Sequence, residues 1–283
     1  MLDLTRMEIT RLFKQKSTYT ILLSLLAIFA FSVLMIHLVL VDIHELTPST
    51  ETKGDEELNV SVKIEKNTDF PFKDSKERGE NFVVEHYSNS AMAFFLPIFG
   101  AIFFTQAYQN GFIKNFIGSY KNRSSYIIAQ YFAGLIFLLL AFILSAAILL
   151  IGAPMIYKGF FKYQDLAGIL KLLGLQFYLH AGFLALMLFI SSLTKKSSTS
   201  LAIGIAYNFV LHRFITSSLT QIIKKIFNIT GYFDLMDYTI MGNIHSLQWG
   251  VDSQTITRAL IVCTVIGILS LLGASLSLQK SDI

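Results

Sequence analysis

Six apolar segments, each long enough to cross a lipid bilayer, dominate this chain. A helix needs about 20 apolar residues, with a lower limit near 17, to cross the hydrocarbon core. The six segments are residues 19–41, 90–108, 126–151, 166–190, 199–215 and 256–278. With 53% hydrophobic and 15% charged residues, the chain lies outside the range of a soluble globular domain. The sequence therefore predicts an all-α polytopic membrane protein with one transmembrane domain over residues 1–283.

The fifth segment, 199–215, decides the topology. It is the shortest of the six and carries Asn208 and His212, whose polar side chains cost free energy when they face lipid. With five spans the two termini would lie on opposite sides of the membrane. We expect six spans, which put both termini on the same side.

Basic residues in the short loops predict which side that is, because Lys and Arg concentrate on the cytoplasmic side. With the N-terminus inside, ten cations lie on the cytoplasmic side: Arg6, Arg11, Lys14, Lys16, Lys114, Lys121, Arg123, Lys195, Lys196 and Lys280. Only three acids accompany them: Asp3, Glu8 and Asp282. Both termini are therefore predicted to be cytoplasmic. The cations form no single dense patch, so no nucleic-acid partner is expected.

Residues 1–18 have the composition of a helix lying at the membrane interface. Leu2, Ile9, Leu12 and Phe13 share one side, although Leu4 and Met7 interrupt the pattern. An interfacial amphipathic helix is the prediction, and an ordinary juxtamembrane tail is the alternative.

Two longer segments are predicted on the outer side. In residues 42–89, apolar and polar residues alternate from Leu58 to Glu65, which is the period of a strand. A second candidate strand at 81–86 would complete a small β-hairpin, and a structureless tether is the alternative. Residues 216–255 carry apolar residues at helical spacing, which predicts short re-entrant or interfacial helices between spans five and six.

A short basic stretch, residues 110–125 (NGFIKNFIGSYKNRSS), separates spans two and three. It contains three cations and no acid, interleaved with Phe112, Ile113, Phe116 and Ile117. A cytoplasmic segment of this kind favours a contact with a separate protein. The alternative is an interfacial helix on anionic lipid.

The chain lacks the motifs of common membrane-bound enzymes. It contains no Walker A loop, no His-Glu-x-x-His and no Gly-x-Ser-x-Gly motif, and the six predicted spans contain no acid. Its single cysteine, Cys263, cannot form a disulfide within the chain. We therefore expect no catalytic residue, no metal site and no cofactor on this chain.

Four polar residues fall inside predicted spans and are here called the polar strip: Gln176, His180, Asn208 and His212. Gln176 and His180 are four residues apart, and so are Asn208 and His212, so the two members of each pair share a helix face. They indicate either a translocation path or hydrogen bonds that hold helices together. Zinc binding by the two histidines would be incomplete without further ligands.

The order of these elements resembles the ABC-2 type permease family, the membrane subunits of many bacterial ATP-driven exporters. Family members tend to open the loop after span two with Gly, followed by a short helix and a Ser/Asn-Arg pair. Gly111, residues 112–120 and Asn122-Arg123 stand in those places. The chain departs from the family in three respects. It offers only Gln106 and Gln109 where a Glu is frequent, Phe112 in place of a Thr, and Gln130 in place of a Lys.

The resemblance implies a location, a partner and a mechanism. The chain would lie in a bacterial plasma membrane and pair with a second permease copy or a related permease. A separate cytoplasmic ABC ATPase dimer would bind ATP and Mg. Residues 112–120 would be a coupling helix, and the contacts to the ATPase would come from Gly111, Phe112, Lys114, Asn115, Phe116, Ile117, Lys121 and Arg123.

Within the family, the small size and the acidic outer loop resemble exporters of bacteriocins and other amphipathic peptides. The substrate would then be hydrophobic or amphipathic. One rival hypothesis is a non-transporting immunity protein that captures a peptide with residues 42–89. Another is a membrane enzyme built around His180 and His212.

Overall fold

The protein is helical and has several helices suited to a membrane. A computed structural model describes residues 2–45, 78–89, 91–111, 113, 124–156 and 163–280, without the side chains of residues 36–45, 78, 91 and 210–213. Those residues contain helices and no strand. Five helical segments are long and apolar enough to cross a membrane: Lys16–Met35, Gly79–Gln109, Ser124–Ile156, Leu166–Thr194 and Ser253–Gln279. The chain is therefore a helical membrane protein.

Helices make up most of the described residues. In chain order they are α1 Leu2–Lys14, α2 Lys16–Glu45, α3 Arg78–Ser88, α4 Ala91–Gln109, α5 Ser124–Ala147, α6 Leu166–Thr194, α7 Ser197–Ala206, α8 Thr216–Ile226, α9 Ile240–Ser246 and α10 Ser253–Gln279. A π-helix, Ile148–Gly152, and a last turn, Ala153–Ile156, extend α5. A second π-helix, Tyr207–Ile215, joins α7 to α8, and Leu235–Tyr238 form a 3₁₀-helix.

The prediction of a strand at 81–86 is wrong, because these residues belong to α3. Six residues are too few for their apolar pattern to separate a strand from a helix. Within an apolar bundle a helix satisfies its own backbone hydrogen bonds, whereas a lone strand would not. The first half of the predicted hairpin, residues 58–65, lies outside the described residues.

Helix α3, which precedes the predicted span 90–108, brings a buried acid into the bundle. Glu80 is buried, and its Oε1 accepts hydrogen bonds from the backbone N–H groups of Gln164 (2.6 Å) and Asp165 (3.2 Å). Tyr87 is buried as well and bonds to Ser145 of α5 at 2.7 Å. Helix α3 is thus packed against α5 and against the two residues that precede α6 in the chain.

The bundle has two different ends. The first, here called the loop end, is where α4 ends and α5 begins, on either side of residues 112–123. The second, here called the cap end, carries the 3₁₀-helix, α9 and the first turns of α6 and α10. At the cap end Arg258 pairs with Asp237 at 2.9 Å, a partner that the sequence did not reveal.

Helices α6 and α10 are neighbours that run in the same direction. Gly182 faces Cys263, Phe189 faces Gly273, and the Ser277 hydroxyl donates to the Ser192 carbonyl at 3.1 Å. The pairs advance along both helices together, so the two helices are parallel. The chain between them must therefore travel back from the loop end to the cap end.

Helix α7 and the π-helix after it make that return alongside α4. Ser197 bonds to Thr105 near the end of α4 at 2.6 Å, and Asn208 Nδ2 donates to the Ala93 carbonyl near its start. Eleven residues of helix separate Ser197 from Asn208, a rise of roughly 17 Å. Gly204 permits the approach, because a Cβ there would lie 2.9 Å from the Cβ of Pro97.

Candidate functional site at the loop end

The loop end gathers five elements around residues 112–123. Ser197, the first residue of α7, donates from its hydroxyl to Gln109 Oε1 at the end of α4 (3.2 Å). Ser124, the first residue of α5, accepts from Ser275 (2.6 Å) and Gln279 (2.9 Å) of α10. Both flanks of the loop are therefore fixed to neighbouring helices.

Most of the predicted contact residues lie outside the described residues. These are Phe112, Lys114, Asn115, Phe116, Ile117, Lys121 and Arg123. Gly111 is described and ends α4 with φ of +68°, a left-handed conformation that favours glycine. Ile113 is buried among apolar side chains of the bundle.

The backbone at Gly111 gives a specific prediction. Nothing lies within 4 Å of a Cβ added there, so a substitution is opposed by its φ and not by a clash. We expect Gly111→Ala to lower the free energy of unfolding by about 1 kcal/mol. Gly111→Asn is the matched control and should cost less, because asparagine tolerates the left-handed region. Thermal unfolding in detergent measures both, and equal losses would contradict this account.

Arg11 of α1 connects the N-terminal helix to both flanks of the loop. Its guanidinium donates to the Phe103 carbonyl of α4 (3.0 Å) and to the Tyr126 hydroxyl of α5 (3.2 Å). It also lies 4.4 Å from the centre of the Phe103 ring, within cation–π range. A displacement of either flank would therefore strain its hydrogen bond to Arg11 of α1.

Glu8 completes this group, here called the Arg11 network (Glu8, Arg11, Phe103 and Tyr126). Its side chain is fully buried, and Oε2 lies 2.9 Å from Arg11 Nη2. Burial raises the pKa of Glu8 from 4.5 to about 7, although the neighbouring Arg11 charge acts to lower it. Desolvation outweighs the ion pair here, because Glu8 has lost all contact with water.

This raised pKa predicts a pH-dependent stability. The folded state holds the Glu8 proton more tightly than the unfolded state, so its contribution is complete below pH 4.5. The contribution declines as the pH rises to about 7, by about 3 kcal/mol at 1.36 kcal/mol per pKa unit. We expect Glu8→Gln to remove this decline between pH 5 and pH 8, measured by thermal unfolding. Asp3→Asn, at an exposed acid of the same helix, should leave it unchanged, and the opposite pattern would contradict the assignment.

Sequence reasoning did not find the Arg11 network, although a signal was present. Leu4, Glu8 and Leu12 recur every four residues, and these three are the buried face of α1. Leu2 and Phe13, predicted to share the apolar face, are exposed. An acid at the centre of an i, i+4, i+8 apolar row, with Arg three positions later, is the pattern that could have revealed it.

At the cap end, two residues of the polar strip stand together on α6. Gln176 is buried, and its Nε2 donates to the carbonyls of Ile244 (3.0 Å) and Leu247 (3.1 Å). His180 Nδ1 donates to the Gln176 carbonyl (2.7 Å), which can only accept. In the neutral ring Nε2 is then an acceptor, and it is buried without a hydrogen-bond partner. The two hydrogen bonds from Gln176 Nε2 thus hold α9 and the residue after it to α6.

The other two residues of the polar strip have a separate position. Asn208 Nδ2 bonds to the Ala93 carbonyl of α4, and the His212 side chain lies outside the described part. Among the described residues no hydrogen bond joins Asn208 to Gln176 or His180, and no three metal-ligating side chains come together. Gln176 and Asn208 thus bond to the backbone of neighbouring segments, whereas the hydrogen bond of His180 lies within its own helix.

No family model matches the chain, and no curated protein matches it either.

Proposed function

We propose that this chain is the membrane-spanning permease subunit of an ATP-driven ABC exporter. It would work as a dimer with a second permease copy or a related permease. A separate cytoplasmic ATPase dimer would supply the ATP- and Mg-dependent step. The substrate would be hydrophobic or amphipathic, and a toxic peptide is the kind of cargo proposed. The setting would be a bacterial plasma membrane with both termini cytoplasmic.

The arrangement of the loop end is the observation that carries this proposal. A driven membrane protein needs a segment that receives force and a rigid path that carries the force onward. The Arg11 network and the Ser124 bonds fix both flanks of residues 112–123 to α1 and α10. A partner acting on that loop would therefore move several helices together.

The helix directions support a six-span topology. Helices α6 and α10 are parallel neighbours, and α7 with its π-helix runs between the two ends alongside α4. We propose this returning segment as a sixth crossing beside the five long apolar helices. With six crossings, the N-terminal helix and the end of α10 share the side of the loop.

Co-purification from native membranes tests the proposal, followed by an ATPase assay on the complex. A stoichiometric nucleotide-binding subunit should accompany the full-length chain. We expect Phe112→Ala combined with Phe116→Ala to reduce the ATPase activity linked to this chain at least tenfold. Buried aromatic anchors at an interface each contribute 2 kcal/mol or more, roughly thirtyfold.

The matched control is Phe227→Ala combined with Tyr232→Ala, two exposed aromatic residues outside the predicted spans. This pair should leave both the co-purified ATPase and its activity unchanged. Normal activity in the Phe112/Phe116 variant would contradict the coupling role. A chain that purifies alone and hydrolyses no ATP would contradict the permease function itself.

A further inference from the structure

A cleft with unpaired basic residues opens at the loop end, beside the Arg11 network. Its volume is about 580 Å³, and it lies between the α1–α2 junction and the last turn of α4. The residues that give it its character, here called the basic cleft, are Arg11, Lys14, Gln15, Lys16, Gln106 and Asn110. They supply three positive charges and three amides, and none of them is an acid.

Two of the three positive charges of the basic cleft, those of Lys14 and Lys16, have no acidic partner among the described residues. Arg11 is paired with Glu8, which is buried and does not line the cleft. A site with this charge and these free donors suits an anion that accepts several hydrogen bonds.

The side-chain amides of the cleft add to this preference. The cleft lies where Lys16 begins α2, separated from the end of α1 by one residue. The side-chain amides of Gln106 and Asn110 can donate further hydrogen bonds from the opposite wall.

The surface next to the cleft points to a lipid as the source of the anion. Phe13 and Tyr19 are both more than 40% exposed, and they flank Lys14 and Lys16 in the chain. The Tyr19 hydroxyl donates to the Phe13 carbonyl at 2.8 Å, so the two residues are neighbours in space as well. Exposed aromatic residues at the end of an apolar span occupy the headgroup level of a membrane. Acyl chains could lie against them while the phosphate enters the cleft.

We infer that the basic cleft binds the phosphate of an anionic phospholipid headgroup. The inference goes beyond transport and does not depend on the identity of any ATPase. Bound there, the lipid joins α1, α2 and α4 at the level where the Arg11 network holds α1 to the bundle. Anionic lipid is thereby a stabilising ligand of the loop end.

The test uses the purified full-length chain in detergent, with thermal unfolding and native mass spectrometry as readouts. Three probes are compared at matched concentrations: phosphatidylglycerol, phosphatidylcholine and inorganic phosphate. Phosphatidylglycerol should raise the melting temperature and remain bound in the mass spectrum. Lys14→Gln combined with Lys16→Gln should weaken its binding roughly tenfold to thirtyfold, the effect of two basic residues near an anionic headgroup.

The matched control is Lys224→Gln combined with Lys225→Gln on α8. It removes the same charge outside the cleft, so it should bind phosphatidylglycerol normally. Lys14 and Lys16 are exposed, so their replacement should leave folding intact. As a second variant, Gln106→Glu places a negative charge in the cleft and should also weaken binding.

Four outcomes would overturn the inference. Equal losses in the two lysine pairs would mean a non-specific charge effect, and no response to phosphatidylglycerol would mean that no such site exists. An equal response to inorganic phosphate would leave an anion site but exclude the lipid as its ligand. Loss of a co-purified ATPase in the Lys14/Lys16 variant, with lipid binding unchanged, would make the cleft a protein contact.

Discussion

Replacing Arg11 with methionine is expected to lower the free energy of unfolding by about 3 kcal/mol. Methionine keeps much of the apolar stem and removes the charge, so the change isolates the guanidinium. Glu8 would remain fully buried without its cation, and the Phe103 carbonyl and Tyr126 hydroxyl would each lose a donor. Removing one partner of a buried ion pair typically costs 3–5 kcal/mol. Glu8 can respond by protonation, which limits the loss to the lower end of that range.

A double-mutant cycle separates the ion pair from packing. Glu8→Leu combined with Arg11→Met should recover most of the lost stability, because an apolar pair carries no desolvation penalty. Arg6→Met, at an exposed cation of the same helix, is the matched control and should change stability by less than about 0.5 kcal/mol. Chemical unfolding in detergent measures four variants: Glu8→Leu, Arg11→Met, their combination and Arg6→Met. If the double variant were as unstable as Arg11→Met alone, the ion pair would not be the cause.

The loss has a functional consequence if the permease proposal holds. Arg11 joins α1 to both flanks of residues 112–123, so Arg11→Met should also reduce the ATPase activity that the chain supports. Arg6→Met should not. A destabilised chain with normal activity would mean that α1 anchors the bundle without taking part in coupling.

Replacing Gly182 with alanine is expected to lower the free energy of unfolding by about 1–3 kcal/mol, the usual cost of overpacking. An added Cβ would overlap the Sγ of Cys263 on α10, where α6 and α10 meet. The overlapping atom ends a short side chain on α10, so either Cys263 changes its rotamer or the two helices separate. The loss should appear in thermal unfolding.

Cys263 on α10 provides a rescue variant, and Gly174 on α6 provides the control. Cys263→Ala removes the overlapping sulfur, while the Cys263 Cβ lies 3.8 Å away, an ordinary contact distance. The double variant should therefore be more stable than Gly182→Ala alone. Gly174→Ala meets no atom within 4 Å and should be neutral or slightly stabilising. Absence of rescue by Cys263→Ala would contradict the close approach of these helices.

The sequence alone determined that this chain is a helical membrane protein, because runs of apolar residues have few other stable folds. Backbone groups in a bilayer must bond within their own segment, so a run such as 166–190 has to be a helix. Local signals also placed helices between residues 216 and 255, where α8, the 3₁₀-helix and α9 lie. At 81–86 the local pattern was too short, and packing against the bundle decided for a helix.

Only the tertiary structure decided which polar residues act together. Glu8 and Tyr126 are 118 residues apart in the sequence, and no local pattern says that Arg11 bridges them. Likewise the sequence does not say whether the Gln176 amide lines a path or binds another helix. In the folded protein it donates hydrogen bonds to the carbonyls of Ile244 and Leu247. Hydropathy specifies which segments can cross the bilayer as helices, since that depends on the length and composition of each segment. The partners of a buried charge depend on which helices are neighbours, and that is a property of the folded bundle.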